Sequence, residues 1–235
     1  MVRSDCPLGK LPAAQMDLLR PWVREHGFRR GEVLQRQGHN AQTIRVIKSG
    51  AALLYRDGRD GQSRSVGIAA QGHVLGLPGL FDHVVVMTTV AISEGRVCEL
   101  GKEAITRHGL LDDPAFRHWL VGSLMRSMSN QADWAQVARA PGVVCQLAGA
   151  LLQLGALQRS ERIRMPGHAV LAELLGITRE SVARGLARLE DKGGITRVGR
   201  TYCELHGERL QACAGGERPP VPAPSEAPRH DLAQG

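Results

Sequence analysis

The stretch His168–Leu189 restricts the fold more than any other part of the chain. Its apolar residues Leu171, Leu175, Ile177, Val182 and Leu186 fit the facing sides of two short helices that meet at Gly176. A tight turn between crossing helices wants a residue that tolerates positive φ, and glycine does so without steric cost. Ala172 is small where the second helix has to pass over the first. Thr178 stands just before Arg179 and can cap the second helix with its side-chain oxygen. The outward face of that helix carries Arg179, Glu180, Arg184 and Arg188. Arginine can bond guanine O6 and N7 together, and glutamate can accept from cytosine N4. An ordinary helical hairpin with a solvated face would share part of this pattern. The fixed offsets of Ala172, Gly176 and Val182 favour a helix-turn-helix, and so does the segment that follows. Lys192-Gly193-Gly194 stops the helix, and Ile195–Val198, Gly199-Arg200 and Thr201–Leu205 read as a two-stranded wing with a tight turn. Arg197 and Arg200 would lie near phosphates there. The expected DNA contacts are Thr178, Arg179, Glu180, Ser181, Arg184, Arg188, Arg197 and Arg200.

Upstream the texture is different. Residues 10–27 read as a short helix with Leu11, Met16, Leu18, Leu19, Trp22 and Val23 on its apolar side. From Phe28 to Leu100, short apolar runs are cut by glycine every several residues. The runs include Val33-Leu34, Ile44–Ile47, Ala51–Tyr55, Val66–Ile68, Val84–Val86 and Arg96–Leu100. Short strands at this spacing predict a β-sandwich or barrel. Asp57-Gly58 through Gly61 is a hairpin signal.

A long helix is expected over residues 112–139. Asp112-Asp113-Pro114 is a good start, and the run to Arg139 contains no proline after Pro114 and only Gly122 as a glycine. Phe116, Leu120, Leu124, Met128, Gln131, Ala135 and Ala138 recur at spacings of three and four, forming one seam. The seam could pack on the chain's own β-region or pair with a second copy. A helix of this length would leave part of its stripe uncovered on a small β-domain, which favours pairing. Pro141-Gly142 reads as a hinge, and Val143–Leu157 as a further helix. The expected units are residues 10–111, 112–140, 141–213 and a tail, 214–235, whose prolines and charge read as disordered.

The formal net charge of +7 favours a polyanionic partner. The five cysteines, Cys6, Cys98, Cys145, Cys203 and Cys213, form no C-x-x-C pair, and no apolar run reaches the length of a membrane span. A cytoplasmic protein without a membrane partner is expected. The sequence holds no H-E-x-x-H, G-x-S-x-G or P-loop, and no metal site is expected, so the enzyme reading has nothing to carry it.

The chain resembles the CRP/FNR superfamily of bacterial regulators over residues 10 to about 212. Thr178–Arg184, then Leu189-Glu190-Asp191-Lys192-Gly193 and Ile195, are similar to that family's recognition helix and wing entry. Gly76–Phe81 sits where the family has its phosphate-cassette segment. The resemblance implies an α+β chain: an N-terminal cyclic-nucleotide-binding-type β-roll, a long dimerisation helix and a C-terminal winged helix-turn-helix. It implies a homodimer on a palindromic DNA site, with RNA polymerase as a further partner. Arg179, Glu180 and Arg184 match the base-contacting positions, and the nearest family half-site is TGTGA. The effector-pocket candidates are Gly76, Leu77, Gly79, Thr88 and Gln131.

The cyclic-AMP receptors of the family hold the phosphate and ribose with a glutamate and an Arg-Ser pair. Here those places read Leu77-Pro78 and Val84–Thr89, without an arginine. Cyclic-AMP control is therefore not expected, because a buried phosphate needs a cation or a full set of donors. A four-cysteine iron–sulfur cluster is excluded by the single N-terminal Cys6. The effector is left open. The alternative reading is a cyclic-nucleotide- or haem-binding sensor whose effector controls DNA binding, with His39, His73 and His83 as the histidines of the β-region.

Overall fold

The computed structural model describes residues 13–199 and 201–215. Arg200, Cys6, residues 10–12 and nearly all of the expected tail lie outside the described residues. A short helix α1, Ala13–Leu19, leads through a 3-10 turn into a two-sheet roll. The strands are β1 Val23–Phe28, β2 Val33–Gln35, β3 Thr43–Ser49, β4 Ala52–Asp57, β5 Ser63–Ala69, β6 Val74–Leu75, β7 Thr88–Ala91 and β8 Gly95–Gly101. One sheet has the order β1-β8-β3-β6 and the other β2-β7-β4-β5, and every pairing is antiparallel. Then come α2 Lys102–Arg107, α3 Pro114–Arg139, α4 Gly142–Gln158, β9 Arg162–Arg164, α5 His168–Leu175, α6 Arg179–Asp191, β10 Ile195–Val198, β11 Tyr202–Leu205 and α7 Gly207–Cys213.

Alternation along the strands builds two cores on opposite faces of the first sheet. Ile47, Leu75 and Val97 point between the sheets and meet Leu34, Leu54 and Ala91. Ile44, Val46 and Leu100 point the other way, onto Leu19, Ile105, Phe116 and Trp119. A third core joins Leu147, Leu151 and Leu154 of α4 to α5 and α6, and reaches the roll through Trp134, Leu53 and Ile68. The long helix begins as expected. Asp113 caps it by accepting from the Phe116 amide at 2.8 Å, with Pro114 in the first turn.

The structure corrects three expectations. The helix expected through residue 27 ends by Trp22, because Val23–Phe28 pairs with β8, Val23 opposite Leu100. Pairing with a distant strand overrides the local apolar pattern. Val84–Val86 forms no strand: Val85 alone is buried, exchanging backbone bonds with Gly38 and His39, while Val84 and Val86 face outward. The third correction concerns the seam. Phe116 and Leu120 are 0% and 5% exposed and belong to the chain's own core. Leu124 and Met128, at 39% and 63%, are exposed, as are Ala135, Val121 and Met125. The free row therefore runs Val121, Leu124, Met128, Ala135, in step with a heptad repeat. The face of α3 that carries Phe116, Ser123, Asn130 and Trp134 is claimed by the chain's own cores.

Candidate nucleic-acid interface

Gly176 adopts φ +65° between α5 and α6, and the Ile177 amide closes back on the Ala172 carbonyl at 3.0 Å. That bond ends α5 with a left-handed cap, which only glycine takes cheaply. Thr178 is extended and its Oγ1 accepts from the Ser181 amide at 3.1 Å. Ser181 Oγ in turn accepts from the Thr178 hydroxyl at 3.0 Å and from Arg184 Nη2 at 3.5 Å. Val182, Gly185, Leu186 and Leu189 are buried, and Arg179, Glu180, Arg184 and Arg188 are exposed on the opposite side. Backbone hydrogen bonding and the Thr178 side chain hold the Glu180 carboxyl below the usual range, with Arg179 and Arg184 adding to the effect. The first turn of α6 thus presents two guanidiniums and a carboxylate at a helix N-terminus.

Gly185 is a contributor the sequence reading left without a role. It lies where α4 crosses α6, and a Cβ there would overlap the Leu147 side chain and press on Val143. A glycine in mid-helix, unfavourable by propensity, was the available signal.

The wing forms between β10 and β11, with Gly199 at φ +67° in the turn. Arg197 is tied to the recognition helix: its Nε lies 3.3 Å from Glu190 Oε2, and its amide donates to Glu190 Oε1 at 3.3 Å. It therefore sits at the wing's base. Strand β9 adds a third member to this sheet, paired with β11. Arg162 and Arg164 stand exposed on either side of buried Ile163, and the Arg162 guanidinium lies 5.3 Å from the Tyr202 ring centre. The polar–apolar–polar alternation of residues 162–164 was the signal for them.

The roll's candidates do not converge on one space. Gly76, at φ +80°, opens the 3-10 turn Leu77–Phe81, and its amide donates to Gln35 Oε1 at 3.0 Å. Gln35 Nε2 donates to the Met87 carbonyl at 3.2 Å. Leu77 is buried among Ile44, Leu80 and Leu100. Gly79 is buried against Ala41. Thr88 Oγ1 accepts from the Gln37 amide at 3.0 Å. Gln131 Nε2 reaches Met87 Sδ at 3.6 Å. A cavity of about 420 Å³ opens beside Gln35, Arg36, His39, Gln42 and Arg45, and of the five candidates only Gly76 lines it. Arg45 is already bonded to Glu99 at 2.5 Å. Among the described residues, no helix is long and apolar enough to cross a membrane.

Comparison with known proteins agrees with this layout. Residues 25–108 match a cyclic nucleotide-binding domain model, and residues 146–213 match a Crp-like helix-turn-helix domain model. The chain is 24% identical over 226 residues to the transcriptional activator protein FnrA of Stutzerimonas stutzeri, covering 91% of this chain and 92% of that one. It is 25% identical over 191 residues to a CRP-like cAMP-activated global transcriptional regulator of Mycobacterium tuberculosis, covering 78% and 84%. The solved structure of FixK2 from Bradyrhizobium japonicum shares the fold, with a TM-score of 0.70 at 18% identity, covering 83% of this chain and 99% of that one.

Proposed function

The chain belongs to the CRP/FNR family of transcription regulators, and from that premise we propose that it acts in the cytoplasm as a homodimer on a palindromic DNA site. The capped first turn of α6 carries the reading, because Arg179, Glu180 and Arg184 leave it together on the exposed side. Arg179 and Arg184 bind guanines and Glu180 a cytosine, as their bidentate and acceptor geometries suit. Ala183 stands where the fumarate-nitrate branch of the family has serine, which favours a TGTGA half-site. Thr178, Ser181 and Arg188 flank the bases, and the wing, with Arg197 at its base, meets phosphates, a role the sequence also gives to Arg200.

The exposed row Val121, Leu124, Met128 and Ala135 pairs α3 with its twin. Pairing sets the two α6 helices about one helical turn of DNA apart. RNA polymerase is the further partner. The roll regulates without cyclic AMP. Leu77 and Pro78 offer no ribose ligand, and the Gly76 amide that could meet a phosphate is bonded to Gln35.

The test is a titration into a TGTGA-N6-TCACA duplex and a scrambled duplex at fixed salt, with and without cyclic AMP. Selective binding unaffected by cyclic AMP is expected. Binding that requires cyclic AMP would overturn the reading of the roll, and equal binding to both duplexes would overturn the half-site.

A further inference from the structure

The loop between β2 and β3 is fastened to residues 76–85 at three places. Gly38 donates to the Val85 carbonyl and Val85 donates to the His39 carbonyl, both at 2.8 Å. Farther along, Ala41 lies against Gly79 and Thr43 against Gly76, each through its carbonyl oxygen and each too close for a Cβ on the glycine. Between these fastenings the two segments enclose the cavity of about 420 Å³. Its walls are tied down by main-chain contacts, so the space is formed before any ligand arrives.

The cavity has two chemically different parts. Leu34, Leu75 and Val85, all buried, line it with hydrocarbon. Its rim carries Arg36, His39, Asn40 and Gln42, all exposed. Arg45, also on the wall, is neutralised by Glu99 and gives a further bond to the Leu34 carbonyl. Among the described residues, Arg36 has no ion pair, and no aspartate or glutamate lines the space. The cavity is separate from the nucleotide position that the family resemblance implies, since Leu77, Gly79, Thr88 and Gln131 do not line it. The amide of Gly76, the one shared residue, is already bonded to Gln35.

We propose that this cavity binds a small organic carboxylate, with the acid group on Arg36 and His39 and the hydrocarbon body on Leu34, Leu75 and Val85. A guanidinium matches both oxygens of a carboxylate at once. The side-chain amides of Asn40 and Gln42 can donate to the same oxygens. An apolar floor with a few polar groups at the mouth is the ordinary make-up of a small-molecule site. The bound acid spans both segments and stabilises the folded chain by mass action. A phosphate ester suits the site less: with Arg45 paired to Glu99, one guanidinium is left for two charges. The assignment concerns the roll alone and does not depend on the DNA reading.

The test is a titration of the isotope-labelled full chain followed by amide NMR shifts, with ionic strength held constant by chloride. Benzoate and hexanoate are the probes, and benzyl alcohol is the neutral counterpart. Acids of this size should saturate on the order of 1 mM and move the amides of Gly38, Ala41, Gln42 and Gly76. Benzyl alcohol should bind roughly tenfold more weakly than benzoate, because it lacks the charge-assisted bonds. Arg36→Gln changes an exposed side chain and should weaken both acids roughly tenfold, with the alcohol unaffected. Arg117→Gln, which removes an exposed charge on α3, should leave both acids as they were. Failure of both acids to give saturable shifts at those amides would overturn the site. So would equal binding of benzyl alcohol, or acid binding indifferent to Arg36→Gln.

Discussion

Gly79 rests directly on the carbonyl of Ala41: a Cβ at residue 79 would fall inside the van der Waals surface of that oxygen. Gly76 has the same relation to the carbonyl of Thr43. The smallness of these cassette residues is thus dictated by backbone meeting backbone. Gly79→Ala should lower stability by about 2–3 kcal/mol, the usual cost of forcing atoms into a filled site. The drop would appear in the urea midpoint.

Arg184 reads a base in the proposed complex and is only weakly engaged otherwise, 3.5 Å from Ser181 Oγ. Arg184→Ala should cost about 1–3 kcal/mol in DNA affinity and relax selectivity at one base pair, leaving thermal stability unchanged. Binding isotherms on single-substitution duplexes would measure both. Full selectivity in the variant would remove Arg184 from the reading face.

Two residues of the expected seam should now behave differently. Met128→Glu places a charge on an exposed site, so it should leave the fold intact and turn the proposed dimer into a monomer in sedimentation. Phe116→Ala should cost about 3–5 kcal/mol of stability through the cavity it leaves. A Met128→Glu protein that stays dimeric would take α3 out of the interface.

His73 joins the roll to α3, its Nε2 lying 3.4 Å from Ser127 Oγ. Burial pushes its imidazole down to about 4, against 6.5 in an open chain. Between these values the unfolded chain binds a proton that the folded one refuses. The contribution is whole above pH 6.5, declines as pH falls, and is fully lost below pH 4. The total is about 3 kcal/mol. Urea midpoints from pH 7.5 to 4 should therefore fall less steeply in His73→Gln than in the parent.

The helix-turn-helix was legible because its determinants are local. Gly176 and Thr178 act on residues within five positions of themselves. The strand Val23–Phe28 was not, since its partner β8 lies some seventy residues on and short apolar segments suit helix and strand alike. In α3 the period gave a stripe but not its neighbour. Phe116 and Leu124 occupy similar spacing, but the roll lies along the face that carries Phe116, Ser123, Asn130 and Trp134, and Leu124 stands off that face. Gln35 was invisible in the candidate pocket, because its partners at residues 76 and 87 are joined to it by folding alone.

That glutamine supplies the turn at Gly76 with an occupant of its own. Tethered beside Gly76 and Met87, its amide competes with any incoming polar group at an effective concentration on the order of millimolar or more. A group that came to the Gly76 amide would first have to displace the Gln35 oxygen. Shortening that one side chain would return both backbone groups to solvent.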